Sequence, residues 1–187
     1  MILSDKEITE LAVNHNMITN FIPDQVKKID NQKVISFGTS SYGYDIRLGN
    51  EMMICTGKKN DVYDPKNPDE NLWRTAESED FFTLPAHSTV LAKSVEIFKM
   101  PHNVTGHVVG KSTYARCGII CNVTPLEAGW KGQVTLEFIN TMPCQVKMYV
   151  NEGCCQVLFF RGRNCKTSYA DRNGKYLGQT GITLSKV

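Results

Sequence analysis

Strict alternation at Gln133–Asn140 constrains the fold of this chain more than any other feature. Val134, Leu136 and Phe138 fall on one face, and Thr135, Glu137 and Ile139 on the other. That is the period of a strand with one side toward a core. Similar runs recur. Ser88–Phe98 sets Val90, Ala92 and Ser94 against Leu91, Lys93 and Val95. His107-Val108-Val109 is a shorter run, and Val146, Met148 and Val150 share a face. Gln156–Phe160 is almost continuously apolar, as a fully buried strand is. Lys131-Gly132, Asn151-Glu152-Gly153 and Asn173-Gly174 are turn signals between or beyond these runs. Many short strands with close-set turns predict a mainly β chain, either a β-barrel or a jelly roll. The start is the exception. Ser4 and Glu7 have capping-box spacing, and Ile8, Leu11 and Ala12 give one apolar face, so a helix is expected that ends near Asn14–Asn16. Gln25–Ile29 reads as a second short helical or irregular piece. Asn60–Asp80 is polar and acidic with two prolines, and reads as a long surface excursion rather than a second domain. At 187 residues and 41% hydrophobic, the chain suits one domain spanning 1–187.

The longest apolar runs, such as Val157-Leu158-Phe159-Phe160, are too short to span a bilayer. Met1–Glu7 lacks a basic stretch followed by an apolar one, which points to a cytoplasmic protein without a membrane partner. The seven cysteines include no Cys-x-x-Cys pair, and free, mostly buried thiols are expected. Charge is uneven. Residues 101–187 carry 10 Lys/Arg against 4 Asp/Glu, and residues 1–100 carry 11 against 15. The basic second half suits an anionic ligand, yet no Lys/Arg block is dense enough for a nucleic-acid surface.

Four constellations stand out. Gly110-Lys111-Ser112-Thr113-Tyr114-Ala115-Arg116 sets cations and hydroxyls side by side, suited either to phosphate oxygens or to a polar surface turn. It fails as a Walker A loop, because three residues rather than four separate Gly106 from Gly110. Glu127–Phe138 runs from a glycine-containing turn into the alternating strand. Glu137 there is either a solvated carboxylate or one set in a crevice, where lost hydration would raise its pKa toward that of a useful base. The tail Tyr169–Gly181 is polar and glycine-rich. It suits a lid over a ligand as well as a frayed terminus. In Ser40–Gly49, Asp45 and Arg47 project to the same side of a strand and are expected to form a paired buried charge.

Together these segments resemble the dCTP deaminase family, within the wider dUTPase-like group. Gly110–Arg116 is similar to its phosphate and active-site signature, and Gly129-Trp130-Lys131-Gly132 with Thr135-Leu136-Glu137 to its catalytic strand. Tyr44–Gly49 matches a segment near the N-terminus. Tyr169, Lys175-Tyr176 and Gln179 match the nucleotide-contacting end. The resemblance runs in order over nearly the whole chain. It implies a distorted β-barrel with an N-terminal helix, a homotrimer with active sites between subunits, and a lid over about residues 165–187. It also implies hydrolysis of dCTP to dUTP, feeding dUMP and dTMP synthesis, with Mg2+ on the triphosphate and dTTP as a feedback inhibitor. Glu137 would be the acid/base, supported by Ser112 and Arg116. Lys111, Ser112, Thr113, Tyr114, Ala115 and Arg116 would hold substrate. Thr135, Leu136 and Glu137 would read the cytosine, and Gln156, Tyr169, Lys175 and Gln179 would complete the contacts.

Other nucleobase deaminases activate water on zinc held by H-x-E and P-C-x-x-C motifs. Neither motif occurs here. His15, His87, His102 and His107 sit in no H-x-E, and Pro143-Cys144 is followed by Gln145-Val146-Lys147. Oriented hydrogen bonds are therefore expected to replace the metal, with no protein-held metal ion. Three rivals stay open. A dUTPase of the same fold normally carries an aspartate where this chain has the Glu127-Ala128-Gly129-Trp130 neighbourhood, and a glycine-rich Phe motif in its tail that is missing here. A bifunctional deaminase–dUTPase would share the serine motif and the glutamate. An inert nucleotide-binding trimer would have no need of Ser112, Arg116 and Glu137 together.

Overall fold

A computed structural model describes residues 1–187. Helix α1 (Asp5–His15) starts where the sequence places it, with the Ser4 backbone N–H donating to the Glu7 carboxylate at 3.0 Å. That bond holds Glu7 below the usual carboxylate range. Asn16, in the left-handed region at φ 53°, ends the helix. Strands β1 (Ile18–Thr19), β2 (Val26–Ile29), β3 (Gln32–Ser40) and β4 (Gly43–Cys55) follow. Gln25–Ile29 is therefore largely strand, not helix. Its pairing is made by the tight Asp30-Asn31 turn, both residues at positive φ, which returns β3 antiparallel onto β2.

The Asn60–Asp80 excursion is more ordered than its polarity suggests. It holds a single 3-10 turn at Glu70–Leu72 and then β5 (Trp73–Glu77), which pairs with the second half of β4. Strands β6 (Phe81–Leu84), β7 (Thr89–Lys99) and β8 (Val104–Gly110), the short helix α2 (Ser112–Ala115), and strands β9 (Ile119–Cys121), β10 (Lys131–Asn140), β11 (Val146–Tyr149) and β12 (Gly153–Arg161) complete the chain. The five apolar or alternating runs lie in β7, β8, β10, β11 and β12, with Ser88 just before β7 and Val150 just beyond β11.

The main sheet runs β2-β3-β4-β7-β10-β9, with β1, β5, β8 and β12 attached to it, while β6 and β11 form a separate pair. Its ends, β2 and β9, do not meet, so the sheets stay open rather than closing into the expected barrel. The mainly β architecture with one N-terminal helix is as expected. Val90, Ala92, Phe98, Val134, Leu136 and Phe138 from β7 and β10 enter the core. Phe98 meets Phe159 of β12 at 6.4 Å between ring centroids, tying the two parts of the sheet together. No helix is long and apolar enough to cross a membrane.

Asp45 and Arg47 are both buried, but not as partners of each other. Arg47 Nε meets Glu96, fully buried on the core face of β7, at 2.8 Å. Asp45 instead meets Lys111 Nζ at 2.8 Å. The thiols also differ from expectation: all seven are free, but only Cys154 and Cys155 are fully buried.

Candidate functional site

The pairing of β10 with β7 sets Glu137 opposite Leu91, on the face away from Val134, Leu136 and Phe138. That face is not left to solvent. Past Cys121 the chain leaves β10, the Asn122 N–H donating to the Glu137 carbonyl at 2.9 Å, and Val123–Glu127 rises as a wall. The tail forms a second wall. Gly178 N–H donates to the Lys131 carbonyl at 2.7 Å and Gln133 N–H to the Gln179 carbonyl at 2.9 Å, so the tail extends the sheet along the start of β10. Gln179 Nε2 donates to the Gln133 carbonyl at 2.7 Å, and Thr183 N–H to Thr135 Oγ1 at 3.2 Å. A third wall, Tyr63 and Trp73, comes from the excursion. Between them lies a cavity of about 640 Å³.

The tail holds its shape by contacts of its own. Tyr169 Oη accepts from the Tyr176 N–H at 3.1 Å, and its ring lies against Gly174. Any Cβ there would sit 2.1 Å from the ring, so only glycine fits. Trp130 Nε1 donates to the Tyr176 carbonyl at 3.0 Å. Arg172 pairs with Glu127 at the rim. Lys175 also lines the cavity, with its ammonium against the Lys186 carbonyl.

Three buried side-chain polar atoms lack a hydrogen-bond partner: Glu137 Oε2, Trp73 Nε1 and Ser185 Oγ. All three residues line this one cavity. Native interiors rarely leave such atoms unpaired, because each one forfeits its hydration. Three around one cavity leave it with both donors and an acceptor free to meet polar groups that enter it. Burial also pushes the Glu137 carboxyl up to about 7, opposed only by a backbone hydrogen bond. A carboxyl poised there both takes and returns protons near neutrality.

The residues expected at the site divide into two groups. Thr135, Glu137, Tyr169, Lys175 and Gln179 line the cavity. Leu136 points into the core and can offer only its backbone. Lys111, Ser112, Thr113, Tyr114, Ala115, Arg116 and Gln156 do not line it. The Lys111 ammonium is held by buried Asp45, whose other oxygen accepts from Gln156 Nε2 at 3.2 Å. Tyr114 is buried, its hydroxyl accepting from the Tyr149 N–H at 3.0 Å. Ser112, Thr113, Ala115 and Arg116 face outward, with Arg116 Nη1 bonded back to the Ser112 carbonyl at 2.9 Å. One chain thus presents a covered carboxylate cavity and, apart from it, an exposed cationic turn. Tyr63, Trp73 and Ser185 escaped the sequence reading. Aromatic residues inside an otherwise polar excursion were the one available signal.

Neither His nor Cys lines the cavity, and its carboxylates are Glu127 and Glu137. A zinc site of the His/Cys kind has no donors there.

Comparison with known proteins gives a consistent result. A family model described as dCTP deaminase-like matches residues 2–162. Proteins named dCTP deaminase from Neisseria meningitidis serogroup C and from Acidovorax are each 53% identical over 186 residues, which is 99% of this chain and 98% of theirs. One from Laribacter hongkongensis is 50% identical over the same span. A crystal structure of 2'-deoxycytidine 5'-triphosphate deaminase from Agrobacterium tumefaciens shares the fold, with a TM-score of 0.57 at 18% identity. It covers 86% of this chain, which spans about half (48%) of that longer one. By sequence over nearly its whole length, the chain belongs to the dCTP deaminase family.

Proposed function

We propose that the protein hydrolyses dCTP to dUTP and ammonia without zinc, with Glu137 as the proton-carrying carboxylate. The relatives' shared name supports the substrate. The observation that carries the chemistry is the Glu137 carboxyl itself: covered, unpartnered at Oε2, and pushed up to about 7. Ionised Glu137 takes a proton from water as the water oxygen bonds to C4 of cytosine. The C4–N3 π pair moves to N3, which receives that proton from Glu137. The remaining hydroxyl proton passes through Glu137 to the amine, the C4–N bond breaks, and ammonia leaves as C4 becomes a carbonyl. One carboxylate within reach of water, N3 and the amine is enough. Thr135 and the β10 backbone would orient the ring, and Tyr169, Lys175 and Gln179 the sugar and phosphates.

Ser112 and Arg116 would reach this cavity from a neighbouring subunit of a homotrimer. The separation of the two groups within one chain supports that reading, since the exposed turn and the covered carboxylate would complete each other across an interface. Lys111 and Thr113–Ala115 would travel with that turn, and Gln156, behind Lys111, would keep it in place. Magnesium suits the oxygen-rich triphosphate better than this cavity, whose second carboxylate is engaged by Arg172. When bound, it would neutralise phosphate charge. dTTP would compete for the same cavity as an inhibitor. The setting is cytoplasmic deoxynucleotide synthesis, with dUTP passing toward dUMP.

The test incubates the protein with dCTP and magnesium and resolves dUTP from dUMP plus pyrophosphate. The expected product is dUTP. Accumulating dUMP would identify a bifunctional enzyme, and unchanged dCTP an inert binder. Activity that survives chelation followed by magnesium alone is expected; a stoichiometric zinc requirement would overturn the metal-free mechanism.

A further inference from the structure

We infer that Trp73 binds substrate, its indole N–H donating to a neutral oxygen of the nucleoside held over Glu137. This rests on reading the cavity as the dCTP site. The pocket has two tryptophans in different states. Trp130 Nε1 already donates to the Tyr176 carbonyl and serves the tail. Trp73 Nε1 is buried with no acceptor in the chain. An indole N–H only donates, so its partner must bring a lone pair.

Register puts it on the same sheet face as Glu137. Glu137 pairs with Leu91, and Leu91 with Met53. Cys55, two residues on from Met53 and so on the same face, pairs with Trp73. Glu137 and Trp73 therefore stand at opposite sides of one floor, with Leu91 between them. Tyr63, on the same wall, packs edge-on against the indole at 6.0 Å and 81° and so helps set the ring plane. The phosphates have the Lys175 ammonium on the tail side of the cavity, whereas the Trp73 side is walled by neutral and apolar groups. A carbonyl or sugar oxygen suits an uncharged donor in that setting. The Asn60–Asp80 excursion thus becomes a specificity wall rather than a surface ornament.

Trp73→Phe keeps a ring and removes the donor. KM for dCTP is expected to rise about 5- to 10-fold, the scale of one neutral hydrogen bond, with kcat within about 2-fold. The Kd of the Glu137→Gln protein for dCTP should rise by the same factor when Trp73→Phe is added, with oligomeric mass unchanged. A second measurement does not depend on that variant's stability. In 15N-labelled Glu137→Gln protein, dCTP should move the Trp73 indole proton signal downfield and leave that of Trp130 near its place. If dCTP is bound and turned over while KM, Kd and the Trp73 signal stay put, or if Trp73→Phe changes only the oligomeric mass, the inference is wrong. If the unmodified protein neither binds nor deaminates dCTP, it is the reading of the cavity that fails, and this inference goes with it.

Discussion

At the scale of residues, the proposed chemistry rests on Glu137. Glu137→Gln should lower kcat by about 10²- to 10⁴-fold while dCTP still binds, measured by single-turnover kinetics beside equilibrium binding. Because burial raises the carboxyl to about 7, kcat/KM should fall roughly tenfold per pH unit below about pH 7, far above the limb of an ordinary glutamate. The same shift has a thermodynamic sign. A folded value above the unfolded one means that the neutral form favours the native state. That contribution is complete below about pH 4.5 and is lost as pH rises through about 7. Glu137→Gln should therefore melt roughly 7 to 14 °C above the unmodified protein at pH 8, the gap closing toward pH 4.5, as calorimetry across that range would show. Alternation told which face Glu137 takes, but not that the face is covered. The cover comes from Val123–Trp130 and Tyr169–Ser185, and no local period encodes what distant segments do. For the same reason spacing alone pairs Asp45 with Arg47. Spacing shows that they share a face, but their partners lie far along the chain, Lys111 at the start of α2 and Glu96 on β7.

Among the elements, the tail walls the cavity that holds Glu137, so the proposed binding and the acidity of Glu137 should change together. Removing residues 175–187 takes away Lys175, Gln179 and Thr183 and opens the cavity above Glu137. KM for dCTP should rise at least about tenfold, and the acid limb of kcat/KM should slide toward ordinary carboxylate values as water reaches the carboxyl. If the limb stays near pH 7 after truncation, burial by the tail is not what tunes Glu137. Strands whose own side chains alternate were legible: β7 shows its face in Val90, Ala92 and Phe98, and β10 in Val134, Leu136 and Phe138. Strands that exist because a neighbour pairs with them were not. β2 carries Lys27-Lys28 and β5 carries Arg74 and Glu77, and each is strand by virtue of the partner beside it.

For the whole molecule, the division of the expected site into two groups makes a subunit-level forecast. Neither Glu137→Gln nor Ser112→Ala protein should deaminate dCTP appreciably. Equal amounts, unfolded and refolded together, should regain about one quarter of normal activity, because one random interface in four joins an intact Glu137 to an intact Ser112. Mixed assemblies that stay dead would place both residues in the same chain's site. The open sheet is also settled at this scale and not by any local pattern. Alternation specifies that strands pair, not whether the first and last strands meet, and β2 and β9 end apart.

The tail's place along β10 bears on the solubility of the protein. Lys131–Gln133 would otherwise be a bare strand margin, with amide and carbonyl groups ready to accept a strand from any passing molecule. While the tail lies there, that margin is taken. On the proposed function, an opening that admits or releases nucleotide would uncover it for a moment. Nucleotide should thus act as a preservative, holding the tail down and slowing the growth of light-scattering aggregates in concentrated, warm solutions. Protein cut short at the tail should cloud soonest.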